Sequence, residues 1–151
     1  MTVQRILDQK AAVVGHIAPD ASIAELIRSH DFSNEGALVV SSDGETVDGV
    51  IATHDVVRGL KSLGTAVLSA PVRDLMTAKV LTCTPDDRMV GIMALMMTKN
   101  IGHFPVLKAG KLVGLVSVRD LLRLHLQESL ANADAMRRYI SGDYGGSSSA
   151  T

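Results

Sequence analysis

The sequence predicts an α/β (α+β) protein that is built from two copies of one unit of roughly sixty residues. Three observations support this fold class. Hydrophobic residues make up 46% of the 151 residues and aromatic residues only 3%, so the expected core is aliphatic. Apolar residues recur with helical spacing in some segments and form short continuous runs in others. The same order of motifs then occurs twice along the chain.

The two copies align along their whole length. Pro19 and Pro85 lie 66 residues apart, and nearly the same offset relates the later motifs of the two copies. The further pairs are Gly36 with Gly102, Val40 with Val106, Gly49 with Gly114 and Asp55 with Asp120, and upstream Val3 and Ile6 resemble Val72 and Leu75. We therefore predict a first repeat at 1–60, a linker at 61–71 and a second repeat at 72–125.

The first copy has the pattern of a helix, two strands and a closing helix. Its first helix is predicted at 20–30 and its strands at 37–40 and 47–52, with a turn at Ser42-Asp43-Gly44 between them. The closing helix is predicted to begin near Thr53. Gly, Ser and Pro residues in 61–71 are typical of a connecting segment.

The second copy repeats this order more clearly. Thr84-Pro85-Asp86-Asp87 resembles a helix start, with a capping threonine, a proline and acidic residues in the first turn. Met89, Ile92, Met93 and Met96 follow with helical spacing, and Asn100-Ile101-Gly102 is expected to end the helix. Strands are predicted at 80–84, 103–107 and 112–116, and Ser117 is expected to open the last helix.

The last helix is predicted to extend beyond the repeat, over 126–141. Its apolar stripe of Leu122, Leu126, Leu130 and Ala133 has no obvious partner within one copy. The Gly- and Ser-rich tail at 142–151 has little apolar surface to bury and is expected to be flexible.

Composition argues against several classes of function. A net charge of −1 does not suit a nucleic-acid-binding protein, and no apolar run is long enough to span a membrane. Cys83 is the sole cysteine, and the five histidines show no metal-binding spacing, so we expect no metal site and a reduced, cytoplasmic setting. No nucleophile-and-base arrangement appears, so we expect no enzyme activity.

The most informative positions lie where the last strand of each copy meets its closing helix. The first junction reads Gly49-Val50-Ile51-Ala52-Thr53-His54-Asp55, and the second reads Gly114-Leu115-Val116-Ser117-Val118-Arg119-Asp120. A helix N-terminus attracts anions, and a carboxylate there can accept hydrogen bonds from a ribose diol. The alternative interpretation is that Ser117 and Asp120 only cap the helix.

These junctions and His103-Phe104-Pro105-Val106 resemble the CBS domain, and two copies in tandem resemble a CBS pair, or Bateman module, with no further domain fused. The resemblance covers Val3 to Leu124. It implies two β-α-β-β-α repeats packed about a pseudo-twofold axis, with clefts that bind adenosyl ligands such as AMP, ADP, ATP, S-adenosylmethionine or NAD.

The resemblance also implies which residues bind the ligand. The more complete site would comprise Lys79, Val80, Ile101, Gly102, His103, Phe104, Pro105, Ser117, Arg119 and Asp120. In it, Ser117 and Asp120 would contact the ribose and Arg119 a phosphate. A weaker site would comprise Val14, Gly36, Ala37, Leu38, Thr53, His54 and Asp55, because Ala52 replaces the expected hydroxyl residue.

The sequence thus predicts an adenine-nucleotide sensor that forms a homodimer and regulates an unidentified protein, with no nucleic-acid or membrane partner. NAD(H) or S-adenosylmethionine binding is one alternative. A ligand-free dimerisation scaffold is another, and a small nucleotide-converting enzyme is a third.

Overall fold

The computed structural model describes residues 1–10, 14–33 and 35–141, and its mixture of helices and strands confirms the predicted fold class. The predicted flexible tail at 142–151 lies outside the described residues. The helices are α1 Val3–Gln9, α2 Ile23–Ser29, α3 Thr53–Leu63, α4 Met89–Lys99 and α5 Val118–Ile140. The strands are β1 His16–Ile17, β2 Ala37–Val40, β3 Gly49–Ala52, β4 His103–Lys108 and β5 Lys111–Ser117.

Each repeat contributes one small sheet. In the first, β1 pairs in parallel with β2, and β2 pairs antiparallel with β3. In the second, β4 and β5 form an antiparallel pair. The expected strand at 80–84 is reduced to one parallel bridge between Cys83 and Val106, which occupies the place that β1 has in the first sheet.

The two sheets pack face to face, and this interface positions the clefts of the candidate site. Side chains alternate along β2, so Val40 belongs to the first repeat's own core, whereas Val39 faces the second sheet. From the second sheet, Leu112 and Leu115 reach the same interface. They can do so although they are three residues apart, because the register shift at Val106/Leu107 leaves Val113 as an extra residue in β5.

The repeats exchange their first segments. Val3 and Ile6 of α1 are buried in the core of the second repeat, and the amide of Val3 donates to the carbonyl of Asp87 at 2.9 Å. Reciprocally, Val72 is buried in the core of the first repeat, where its amide donates to the carbonyl of Ala21 at 2.8 Å. The predicted ranges 1–60 and 72–125 therefore each place their opening residues in the other repeat's core.

Two helices begin later than the sequence predicted. Helix α2 begins at Ile23, because the hydroxyl of Ser22 accepts a hydrogen bond from the amide of Glu25 and caps it there. Helix α4 begins at Met89 rather than at Thr84. The predicted linker at 61–71 is also more regular than expected, because α3 continues to Leu63 and a 3-10 helix spans Gly64–Ser69.

Candidate functional site

The described residues line three cavities around the interface between the repeats. The main cleft has a volume of about 430 Å³ and is lined by apolar groups from both repeats, among them Leu7, Val14, Ala37, Leu38, Gly114 and Leu115. The arginine pocket, of about 240 Å³, is lined by Arg119, Arg123, Ser117, Asp120, His103 and Gly36. The Asp55 pocket, of about 160 Å³, is lined by Asp55, His54, Lys79, Val80, Ile101 and Gly102.

Asp120 and Ser117 form a complete capping box at the start of α5. The amide of Asp120 donates to the hydroxyl of Ser117 at 3.1 Å, and the amide of Ser117 donates to Oδ2 of Asp120 at 2.9 Å. This arrangement fixes the carboxylate at the edge of the arginine pocket. The side chain of Asp120 is only 11% exposed, so hydrogen bonds to it are little weakened by water.

Lys10 is the partner of Asp120 that the sequence did not indicate as a site residue. Its ammonium group donates to Oδ2 of Asp120 at 2.9 Å, to the carbonyl of Leu115 at 2.8 Å and to Oε2 of Glu35 at 3.1 Å. Lys10 and Glu35 line both the main cleft and the arginine pocket, so their ion pair separates the two cavities. The sequence did contain a signal for Lys10. Lys10 lies 69 positions before Lys79, which is the offset between Val3 and Val72, so it is the first-repeat counterpart of a candidate site residue.

Asp120 is held in its ionised form. Burial of the carboxyl group acts to raise its pKa, but the hydrogen bonds from Lys10 and from the Ser117 amide, with the lysine charge, hold that pKa below its ordinary value. An ionised carboxylate accepts hydrogen bonds and donates none. The group can therefore accept hydroxyl donors over the whole physiological pH range.

His103 is shared by the arginine pocket and the Asp55 pocket. Burial of its imidazole lowers the pKa of His103 and outweighs the carboxylates of Glu35 and Asp120, which act to raise it. The neutral ring then has one nitrogen that donates and one that accepts a hydrogen bond. It forms a polar, uncharged wall between the two pockets.

The carboxylate of the first repeat is more enclosed than that of the second. Asp55 is 2% exposed at its side chain, and Arg58 donates to its Oδ1 at 2.6 Å. Its Oδ2 accepts from the amide of Ala52 at 2.8 Å, which reproduces half of the capping box at Ser117. The other hydrogen bond of the box, from the Asp55 amide to a side-chain hydroxyl, cannot form because Ala52 has no hydroxyl group.

The structure groups the candidate residues differently from the sequence analysis. Lys79, Val80, Ile101 and Gly102 lie beside Asp55, not beside Asp120. Conversely, Gly36 lies with Ser117, Arg119 and Asp120, and Val14, Ala37 and Leu38 line the adjacent main cleft. This crossing follows from the face-to-face packing of the sheets, which brings the junction of one repeat against the opening segments of the other.

Three candidates lie away from these cavities or at their margins. Phe104 is fully buried in the core of the second repeat. Pro105 is buried beside it, and its carbonyl accepts a hydrogen bond from the amide of Cys83 at 3.0 Å. Thr53 is exposed, and its amide donates to the carbonyl of Gly36 at 3.2 Å.

The two junction glycines accommodate the exchanged segments. A Cβ atom on Gly114 would lie 2.4 Å from Cδ2 of Leu7, and one on Gly49 would lie 2.6 Å from the carbonyl oxygen of Thr77. Leu7 and Thr77 belong to, or directly follow, the segments that the repeats exchange. The space that the two glycines leave open is thus filled by the chain itself.

No grouping of three or more His, Cys, Asp or Glu side chains suited to a metal ion occurs within residues 1–10, 14–33 and 35–141. None of the helices in this part of the chain has the length and apolar character needed to cross a membrane. Cys83 is buried, and burial, with the charge of Asp87, raises the pKa of its thiol to about 12.

Comparison with known proteins identifies the second repeat directly, because the CBS domain family model matches residues 72–126. A mitochondrial CBS domain-containing protein of Arabidopsis thaliana is 33% identical over 83% of this chain, which spans 63% of that relative's length. A solved CBS domain structure is 30% identical, with a TM-score of 0.76 over 83% of this chain and 98% of its own.

A more distant structure adds information about ligands in a similar fold. It is a CBS domain pair crystallised with 5′-methylthioadenosine and S-adenosyl-L-methionine, 21% identical, with a TM-score of 0.72 over 83% of this chain and 99% of its own. At this identity the likeness shows the fold. The resemblance to tandem CBS repeats that the sequence indicated is confirmed.

Proposed function

Because the chain belongs to the CBS-domain family, we propose that it is a regulatory module that binds AMP, ADP or ATP in the cleft that carries Ser117 and Asp120. The observation that carries this proposal is the ionised Asp120 carboxylate in the arginine pocket. The Lys10–Glu35 ion pair beside it borders the main cleft, to which both repeats contribute apolar side chains. A ribose has hydroxyl donors for that carboxylate, and a purine suits an apolar cleft within the size range of small-molecule sites.

The arginine pocket supports a ligand that carries phosphate. Arg119 and Arg123 are exposed side chains one turn apart on α5, and both line the pocket next to Asp120. Guanidinium groups bind phosphate oxygens through paired hydrogen bonds. The pocket also adjoins the N-terminus of α5, whose amides add a favourable potential for an anion.

The remaining ligand candidates follow from specific observations. S-adenosylmethionine is bound by the CBS pair of similar fold, although its sulfonium charge suits an arginine-lined pocket poorly. NAD(H) would place its two nucleosides in the arginine and Asp55 pockets, which share His103. The weaker site, with His54 and Asp55, is proposed as the second half of such an arrangement.

A thermal-shift panel with AMP, ADP, ATP, NADH, S-adenosylmethionine and GTP tests this proposal. A ligand at one hundred times its dissociation constant stabilises the folded state by about 2.7 kcal/mol, which for a chain of this size corresponds to a rise in Tm of about 5–10 °C. We expect that rise with at least one adenosine phosphate and not with GTP. Equal melting temperatures with and without every adenosyl ligand would favour the ligand-free scaffold instead.

We propose that ligand binding regulates a separate protein in the cytoplasm and that the module catalyses no reaction itself. Such regulation requires the ligand to bind two conformations of the module with different affinity. Lys10 and the capping amide already bind the Asp120 carboxylate, which suits it to positioning a ligand rather than to proton transfer.

We also propose that the module forms a homodimer through α5. Leu122, Leu126 and Leu130 lie along one face of this helix and are 52%, 60% and 59% exposed. Exposed apolar side chains on neighbouring turns favour burial against a matching surface, and a second copy supplies one by symmetry. Light scattering during gel filtration is expected to give twice the chain mass for the wild type and the monomer mass for Leu126→Glu. A monomeric wild type would contradict the proposal.

A further inference from the structure

Lys10 already binds the carboxylate that the proposed ribose requires. Its side chain is 25% exposed, and its ammonium group, with three N–H donors, has acceptors on Asp120, Glu35 and Leu115. Lys10 and the Ser117 amide both donate to Oδ2 of Asp120, so a ribose diol that donates one hydroxyl to each carboxylate oxygen competes with Lys10 for Oδ2. The ammonium group then loses one of its acceptors in a partly buried place, which is unfavourable unless another acceptor replaces it.

The described residues that line the arginine pocket with Lys10 include no spare anion. Of the two carboxylates beside it, Asp120 would be taken by the ribose, and Glu35 is already its partner at 3.1 Å. The other charged groups that line the same pocket are Arg119 and Arg123, which repel the lysine. A new acceptor for Lys10 must therefore come with the ligand.

We infer that Lys10 makes the site select phosphorylated adenosyl ligands over unphosphorylated ones by moving from Asp120 to a ligand phosphate. This inference rests on the proposed function, because it concerns the same site. A phosphate in the arginine pocket supplies the acceptor that the ammonium group has lost, and it carries the required charge. Adenosine supplies no such acceptor, and the cationic S-adenosylmethionine adds a repulsive charge.

The position of Lys10 in the fold supports a short movement of this kind. Lys10 directly follows Gln9, the last residue of α1, and its amide donates to the carbonyl of Leu7 at 3.2 Å, which ties its backbone to the helix. Val3 and Ile6 anchor α1 in the second core. The flexible four-carbon side chain can reach the arginine pocket without movement of the helix, because Lys10 already lines both that pocket and the main cleft.

The test compares the dissociation constants of AMP and adenosine, measured by calorimetry, in the wild type and in Lys10→Met. Methionine keeps an apolar stem of similar length and removes the charge. The wild type is expected to bind AMP more tightly than adenosine. Lys10→Met is expected to reduce the ratio of the adenosine and AMP dissociation constants by tenfold or more, as the loss of one charge-assisted hydrogen bond implies. Lys10→Arg is expected to restore most of the preference.

Lys111→Met is the matched control. Lys111 is 65% exposed and pairs with Glu45 at 3.6 Å, and it lines none of the three cavities. It is expected to keep the wild-type ratio. An unchanged ratio in a folded Lys10→Met protein would overturn the inference. An equal gain in affinity for both ligands would also overturn it, because Lys10 would then only obstruct the site without distinguishing the ligands. A wild type that binds neither ligand would instead refute the proposed function, and this inference with it.

Discussion

Asp120→Asn is expected to weaken the binding of an adenosine phosphate by about 10- to 150-fold, because a hydrogen bond to a charged group contributes about 1.5–3 kcal/mol. The amide of asparagine has a single acceptor oxygen and no charge, so it cannot bind the proposed ribose diol and the Ser117 amide together, as a carboxylate can. The loss of the capping carboxylate and of the Lys10 ion pair is expected to lower stability by about 1 kcal/mol. Calorimetric titration of both proteins measures the affinity, and thermal melting measures the stability.

Asp87→Asn is a matched control for this experiment. Oδ2 of Asp87 accepts a hydrogen bond from the amide of Thr84 at 2.8 Å, three residues earlier, which reproduces the local geometry of Asp120 with Ser117. Asp87 lines none of the three cavities. We expect a similar small loss of stability and no loss of affinity. If Asp120→Asn also kept full affinity, its carboxylate would serve only to cap α5.

Ile6→Ala is expected to destabilise the protein by about 2–5 kcal/mol, although Ile6 lies in a short helix near the chain terminus. Ile6 is 3% exposed and packs in the core of the second repeat, so truncation leaves a cavity there. Such a loss is a large part of the 5–15 kcal/mol that stabilises a typical domain. Urea unfolding, compared at equal m-value, measures the difference from the wild type.

Ile27→Ala is the matched control for Ile6→Ala, because it truncates the same type of residue in the same type of helix. Ile27 lies in α2, a helix of seven residues like α1, but its side chain is 47% exposed. We expect it to cost less than about 1 kcal/mol. If both substitutions had the same small effect, α1 would not be part of the second core.

The sequence was most informative where local chemistry determines structure. The strand at 37–40 and the helix that Ser117 caps were predicted correctly, and Asn100 ends α4 in the left-handed conformation expected of it. In each case the signal and the structure lie within a few residues of each other. The apolar face of α4 was also predicted, since Met89, Ile92 and Met96 are buried.

The prediction was wrong where distant segments compete for the same backbone groups. Thr84-Pro85-Asp86-Asp87 has the composition of a helix start, but α1 uses its carbonyls. The amide of Gln4 donates to the carbonyl of Pro85 and the amide of Val3 to that of Asp87, both at 2.9 Å. These bonds satisfy the first amides of α1, and 85–86 form a turn instead of the start of a helix.

The same long-range order explains why the site was only partly predictable. The repeated junction predicted Asp55 and Asp120 as site residues, but no local motif marks Lys10 or Glu35. Their importance comes from the crossing of the two repeats, which places a residue near the N-terminus against a carboxylate 110 positions later. A periodic pattern within one repeat contains no information about that contact.

The exchange of opening segments also determines the order in which the molecule can be completed during synthesis. Helix α1 leaves the ribosome about a hundred residues before Phe104 and Leu121, against which it packs. The first core needs Val72, so it too must wait until translation has passed the end of its own repeat. Because most of these contacts join residues far apart in the chain, we expect a slow, late folding step rather than two halves that fold in turn.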